Sequence, residues 1–225
     1  MTIKNQFAGI VPARTESQRC AGKMLRNFSD SNLTEIALSK FSKPTKFFNF
    51  YFAANDPELV NIAKKYPCKA IERDTISSQG ELITDVLNYV KELEEENVIF
   101  INACSPFLQL KTVELAVQAF IDNKCLSLTA VLKKHTWYYT MDGKAVNSID
   151  SKVINTKLTP PLFEVTHNIH IFNRVRFLKH GIFWDNKSKD PFLFEIDDLQ
   201  ALDFDTEFDF ELVETLYRNK NRTSK

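Results

Sequence analysis

Phe7-Ala8-Gly9-Ile10-Val11-Pro12 is a short apolar run that breaks at once into Ala13-Arg14-Thr15-Glu16-Ser17-Gln18-Arg19-Cys20-Ala21-Gly22-Lys23. Such a run reads as a core strand ending in a polar, flexible loop. Outward from it the pattern alternates. A helix is predicted over 33–41, with Leu33, Ile36, Ala37 and Phe41 apolar and Ser31 or Asn32 as its cap. Phe47 to Ala53 reads as a strand. Asp56-Pro57-Glu58 opens a helix to about Lys65, with proline in the favoured first turn. Glu81 to Glu95 places Leu82, Val86, Tyr89, Val90 and Leu93 on one side and is predicted helical throughout. Val98 to Ile101 is a fully apolar strand of the kind buried in parallel sheets. A helix over about Lys111 to Asn123 and a strand over Leu126 to Leu132 follow.

This alternation predicts an α/β fold, a single domain over 1–225 with a mostly parallel sheet flanked by helices in three layers. Ligands in such sheets bind beyond the carboxyl ends of the strands. The loops after Pro12 and Ile101 are therefore the expected walls of a site. The rhythm lapses over 134–163, where Met141-Asp142-Gly143-Lys144 is a hairpin-turn signal and Lys157 to Pro161 is extended. That segment is expected to be a small insertion. Glu164 to Phe172 returns to strand character. Ala201 to Thr206 leads into a last helix from about Glu207 to Arg218, with a frayed tail over Asn219 to Lys225.

Lys+Arg and Asp+Glu both number 29, so the 225-residue chain has no formal net charge. A nucleic-acid binder would carry a basic excess or stripe, and none is visible. No apolar run approaches the roughly 20 residues that span a bilayer. The N-terminus leads straight into the first strand without a signal-peptide pattern. The four cysteines, Cys20, Cys68, Cys104 and Cys125, fit neither zinc nor redox spacing. The expectation is a cytoplasmic protein with reduced thiols.

Three constellations carry chemistry. In the first, Arg14, Arg19 and Lys23 crowd the loop directly after the first strand. Fixed cations and loop N–H groups offset the charge of a triphosphate, although composition alone fits a solvated polar loop better. No GxxxxGK[ST] and no GxGxxG is present. The second is Ile101-Asn102-Ala103-Cys104-Ser105-Pro106-Phe107-Leu108, which should face the same cleft, or in which Ser105-Pro106 simply caps the next helix. The third is Asp203-Phe204-Asp205-Thr206. On an extended segment Asp203 and Asp205 point to the same side, a pair suited to Mg²⁺; Asp205 or Thr206 would alternatively cap the last helix.

These three stretches resemble the CMP-sugar synthetase family, the cytidylyltransferases that make CMP-sialic acid and CMP-ketodeoxyoctulosonate. Pro12-Ala13-Arg14, Ser17 and Lys23 match the family's strand, P-A-R, serine and lysine; Ser17-x-Arg19-x-x-Gly22-Lys23 is similar to the ketodeoxyoctulosonate branch. Ser105-Pro106 match its Q-P-T-S-P-L-R segment, with Asn102 for glutamine and Leu108 for arginine. Leu202-Asp203-Phe204-Asp205-Thr206 resembles its D-I-D-T close. Ala54-Asn55-Asp56-Pro57-Glu58, Arg73-Asp74 and His167-Asn168-Ile169-His170-Ile171-Phe172 resemble further elements, the last lacking the family's glycine and carrying Val165 where an arginine usually precedes it.

The resemblance implies a Rossmann-like nucleotidyltransferase fold and a CTP-dependent, Mg²⁺-dependent enzyme that joins CMP to a small acidic sugar. It implies Arg14, Arg19 and Lys23 in phosphate stabilisation, and Ala13, Arg14, Ser17, Lys23, Arg73 and Ser105 as nucleotide contacts. Asn102, Asn168 and His167 would meet the acceptor, and Asp203 with Asp205 the metal. It also implies a homodimer closed by the 134–163 insertion, with Trp137, Tyr138 and Tyr139 as anchors. Val165 and Leu108 keep open a phosphorylated or phosphonate acceptor, and a non-catalytic nucleotide-binding relative is a further alternative.

Overall fold

β1 (Phe7–Ala13) lies at the centre of the molecule, buried almost throughout. It pairs in parallel with β2 (Asn49–Ala54) on one side and with β4 (Asn97–Ile101) on the other. The structure is a computed structural model that describes residues 3–17, 19–147, 152 and 154–223. Beyond β2 stands β3 (Lys69–Glu72), again parallel. Beyond β4, β6 (Leu162–Asn173) runs antiparallel to both β4 and β5 (Ser127–Lys134), and β7 (Phe192–Glu195) lies parallel to β5. The seven strands follow the order β3-β2-β1-β4-β6-β5-β7, and β6 alone opposes the common direction.

Helices cover both faces. On one, α1 (Leu33–Phe41), α2 (Pro57–Ala63), α5 (Leu110–Asp122) and α8 (Glu207–Thr223) bury Leu38, Leu59, Val117 and Phe210 against β1, β2 and β4. The other is covered by the 3₁₀ turn Asn88–Glu92 and α6 (Arg174–His180), which bury Tyr89, Val90 and Phe177. Local chemistry sets the helix starts. Asn32 accepts from the backbone N–H of Glu35 at 2.9 Å, and Asp56 from that of Glu58 at 2.8 Å ahead of Pro57. Each satisfies a donor that the first helical turn leaves without a partner.

The predicted helix over 81–95 is replaced by two short pieces, α4 (Ile83–Val86) and the 3₁₀ turn. Leu82 and Ile83 are exposed, while Leu87, Tyr89, Val90 and Leu93 are buried. Burying 87, 89 and 90 together does not fit a single helical stripe. The backbone leaves helical geometry at Leu87, and Asn88 Nδ2 donates to Asp74 Oδ2 at 2.8 Å. The last helix is longer than predicted. Tyr217 packs on Phe28 and Phe107, and Lys220 lies over the Phe107 ring, which carries α8 through to Thr223. The short elements α3 (Thr75–Gln79) and α7 (Asp198–Ala201), like β3, β7 and α6, have too few residues to show a period in sequence.

The sheet reaches into the predicted insertion, since Lys133 and Lys134 pair with Phe163 and Leu162. The connection over 135–161 contains the expected turn: Thr140 and Lys144 bond across Gly143, whose φ of 83° suits glycine. Trp137 Nε1 donates to Thr159 Oγ1 at 3.0 Å, so this ring is tied within its own chain. Residues 148–151 and 153 of this segment lie outside the described residues.

Gly9 sits in β1 where the Phe48 ring crosses the strand, and a Cβ there would meet the ring at 2.5 Å. Gly9→Ala is expected to destabilise the fold by about 1–3 kcal/mol through overpacking. Urea unfolding checks this: the midpoint should fall with the slope unchanged.

Candidate active site

β1 delivers the chain to the carboxyl edge of the sheet at Ala13, and the loop after it turns at Gly22, whose φ is 61°. From there Leu25 and Arg26 bond back to the Gly22 carbonyl, which fixes the base of Lys23. Lys23 Nζ donates to the Phe204 carbonyl at 3.0 Å and stands 4.0 Å from Asp205 Oδ1. Arg19 reaches the same carboxylate at 2.8 Å. The basic loop and the C-terminal carboxylate segment, distant in sequence, therefore meet at one place.

Phe204 is the reason the two carboxylates share one side of the segment. Its ring is buried and packs on Phe28 and Phe210, so its neighbours Asp203 and Asp205 point the other way. Asp203 Oδ2 accepts from Asn102 Nδ2 at 2.8 Å, and Oδ1 from the Phe204 N–H at 2.7 Å. Burial pushes the Asp203 carboxyl above its ordinary range, and the Phe204 N–H and Lys23 only partly counter it.

Between these elements lies a cleft of about 890 Å³. Ala13, Arg14, Ser17, Arg19 and Lys23 form one wall, Arg73 lies deep in it, and Asn102 and Asp205 face them. Arg73 is only 5% exposed. It donates to the carbonyls of Ala13 (3.2 Å) and Ser77, lies over the Tyr89 ring, and leaves its Nε without a partner. Burial lowers its pKa, and the nearby Arg14 adds repulsion. Arg14 in turn donates to the Ser78 carbonyl at 2.7 Å. Among the described residues neither arginine is in an ion pair, so both keep charge for an incoming anion, although Glu16 and Glu81 also line the cleft.

Four predicted residues do not line the cleft. One is Asp203, which is held behind the wall by Asn102 and the Phe204 N–H. Ser105 and Asn168 are buried and bond to each other at 2.7 Å, with Asn168 also reaching the Gln200 carbonyl at 3.3 Å; neither lines the cleft. Lys40, pushed down to about 7 by burial, holds the same loop through the carbonyls of Ser105, Pro106 and Leu108. His167 is exposed beyond the last residue of β4 and is not a cleft wall. Sequence reasoning did not single out Phe100 or the Gln79–Glu81 stretch, which line the cleft beside Met24, the position where the sialic-acid branch of the resembled family has asparagine. Gly80 carried a signal, as a lone glycine: a Cβ there would meet Asp85 Cβ at 2.6 Å and the Ile76 carbonyl at 2.8 Å.

A family model described as cytidylyltransferase matches residues 8–221. The chain belongs to that family. Among curated relatives, a post-translational flagellin modification protein B from Campylobacter coli is 25% identical over 228 residues, covering 95% of each chain. A 3-deoxy-manno-octulosonate cytidylyltransferase from Francisella philomiragia is 25% identical over 115 residues, 51% of this chain and 46% of that one. The fold of this cytidylyltransferase is that of a solved CMP-2-keto-3-deoxy-manno-octonic acid synthetase complexed with CTP, at a TM-score of 0.68 and 16% identity, covering 96% and 99% of the two chains. A 4-diphosphocytidyl-2C-methyl-D-erythritol synthase from Anaerococcus prevotii aligns at 0.64 and 12% identity, over 94% and 96%.

Behind the wall of the cytidylyltransferase cleft, Asp203 is a carboxylate whose charge burial disfavours. A carboxyl whose folded pKa lies above its unfolded value stabilises the fold while protonated, and that contribution is lost as pH rises through the folded pKa. Asp203→Asn removes the buried charge and is expected to melt above the wild type at pH 7. The gap should narrow as the wild-type carboxyl protonates in acid. Paired thermal melts at pH 7 and pH 4 check this; an equal or lower melting temperature at pH 7 would count against it.

Proposed function

We propose that this cytidylyltransferase transfers CMP from CTP to a small acidic sugar of the ulosonic type and releases pyrophosphate. The observation that carries the reading is the cleft itself: Arg14 and Arg73 without carboxylate partners, opposite the Lys23–Asp205 junction. The names of the two curated relatives support the sugar class.

An acceptor hydroxyl oxygen attacks the α-phosphorus of CTP, the bond to the pyrophosphate oxygen breaks, and the hydroxyl proton passes to solvent. Positioning and charge neutralisation supply most of the rate in such a step. Arg14, Arg19 and Lys23 offset charge on the phosphates, while Ala13, Ser17 and Arg73 frame the nucleotide. Ser105 acts from beneath, by holding its loop. Asn102 reaches the acceptor directly, His167 stands at its far side, and Asn168 backs Ser105.

Mg²⁺ fits the donor set. Among the described residues no cluster of three or more His, Cys, Asp or Glu side chains could hold a metal ion unaided. Asp203 and Asp205 would hold the ion with phosphate oxygens and water completing its shell. Asp203, whose burial disfavours its charge, gains most from a cation. When bound, the metal supplies charge neutralisation at the reacting phosphate.

Pyrophosphate release measured with CTP, UTP, ATP and GTP, across ulosonic acids and phosphorylated or phosphonate acceptors, tests the reading. CTP with a ulosonic acid should be the best pair, and Lys23→Met should lower kcat by about 10²–10³-fold. A better rate with another nucleotide, or with a phosphonate, overturns the corresponding half. The phosphonate reading draws on Leu108 and Val165, which put no cation where an acidic sugar's carboxylate would gain one.

A homodimer formed through the 135–161 connection belongs to the same proposal, as does a cytoplasmic location. Tyr139, Met141, Ile154 and Leu158 are exposed there. Sedimentation of the wild type should give a dimer, and a Met141→Asp/Leu158→Asp double variant a monomer. A monomeric wild type would remove the dimer from the reading.

A further inference from the structure

His170 lies on β6, 3% exposed, opposite Thr129 on β5. The Thr129 Oγ1 stands 2.8 Å from His170 Nδ1, and His170 Nε2 stands 3.1 Å from His167 Nδ1. The three side chains thus form a line from the buried sheet to the surface. It ends level with the loop that follows β4. Ile101, the last residue of β4, pairs with Ile169, and the Asn102 N–H bonds to the Asn168 carbonyl at 3.0 Å, so His167 stands at the level of the Asn102 loop. Phe100 is shared: it lines the cleft and its ring lies 5.7 Å from that of His170.

We propose that Thr129 and His170 are positioning residues that hold His167 as its Nε2–H tautomer, so that it presents a neutral N–H donor to an oxygen of the acceptor. The proposal rests on the reading that His167 meets the acceptor.

The proton positions follow from the partners. His170 is enclosed by Phe100, Phe183 and Trp184, and the one titratable group acting on it is His167. Burial holds it neutral, with a pKa lowered to about 3, so its ring carries one N–H. Among the described residues Thr129 Oγ1, fully buried, has only His170 as a partner. If the hydroxyl accepted from the ring, its own hydrogen would be buried without an acceptor. Donating leaves only a lone pair unused, which costs less. Thr129 therefore donates to His170 Nδ1. The His170 proton is then on Nε2 and is donated to His167 Nδ1. With Nδ1 occupied as an acceptor, the His167 proton sits on Nε2, facing out.

The backbone agrees. His167 has φ of 54°, a left-handed conformation uncommon for a residue with a side chain, at the point where the β5–β6 register shifts between Thr129 and Val131. A bulge of this kind re-aims a side chain. A neutral N–H donor suits a hydroxyl or carboxylate oxygen, and it excludes His167 Nδ1 as the base that takes the acceptor proton.

Nitrogen-15 spectra of histidine-labelled protein test this directly. The wild type should show a pyridine-type Nδ1 and a pyrrole-type Nε2 at His167. Thr129→Ser should keep that signature. Thr129→Val should erase the preference and raise the acceptor KM roughly fivefold, the worth of one weakened hydrogen bond, with the CTP KM unchanged. A proton on Nδ1 of His167 in the wild type, or an unaltered tautomer in Thr129→Val, overturns the proposal. Should the valine variant fail to fold by thermal melting, the wild-type spectrum alone decides. His167→Ala tests the underlying reading separately: an unchanged KM for every acceptor would remove His167 from acceptor binding whatever its tautomer.

Discussion

The ammonium of Lys23 donates to the carbonyl of Phe204, 181 residues away, and that bond fixes where the two halves of the cleft meet. It depends on apolar packing more than on charge. Phe204 is held by Phe28 and Phe210, and Tyr217 closes on Phe28 from α8. Exposed ion pairs such as Arg19–Asp205 contribute little by themselves and cannot place a loop. A stacked aromatic cluster can, because each ring buries a large area in a defined geometry. The charged rim of the site is thus set by a hydrophobic anchor directly beneath it.

With that junction fixed, the remaining charges are held at a cost. Asp203 is desolvated, and Arg73 is buried beside Arg14 without a carboxylate. Both arginines instead lean on backbone carbonyls at the end of α3, those of Ser77 and Ser78. A carbonyl dipole offsets a guanidinium less than an anion does, so attraction for phosphate oxygens remains. In the proposed function, the carboxylate and the arginines are each left with charge that a metal-bound triphosphate would neutralise at once. Such a site gives up fold stability in exchange for readiness to bind.

Local pattern explains what the sequence revealed. β1 and its loop, α1 and β4 were legible because their apolar runs and caps lie within a few neighbouring residues. Asp203 and Asp205 were legible because alternation about Phe204 is itself local. The rest depends on contacts across the chain. Ser105 and Asn168 turn inward because they satisfy each other over 63 residues, which no spacing encodes. The 81–95 stretch has a helical apolar pattern, yet the sheet face takes Leu87, Tyr89 and Val90 together and breaks it. Gly80 and Phe100 become cleft walls only once α3 and β4 are brought side by side.

The reversal of β6 decides the far side of the site. Every other strand ends at the carboxyl edge where ligands bind, but β6 begins there. Its first residues, Leu162 to His167, consequently lie past the end of β4, where Leu162 to Val165 pair with β5, and the connection that starts after Lys134 leaves from that same end of the sheet. A parallel strand in that position would have put this segment at the opposite end of the sheet, away from the Asn102 loop. The register shift near Thr129 then frees His167 from regular pairing while Ile169 and Ile171 stay in the ladder with β4. One antiparallel strand between two parallel neighbours therefore joins the cleft built from β1 and β4 to the β5–β6 segment that the proposed function gives to the acceptor, and the second can vary in sequence without disturbing the first.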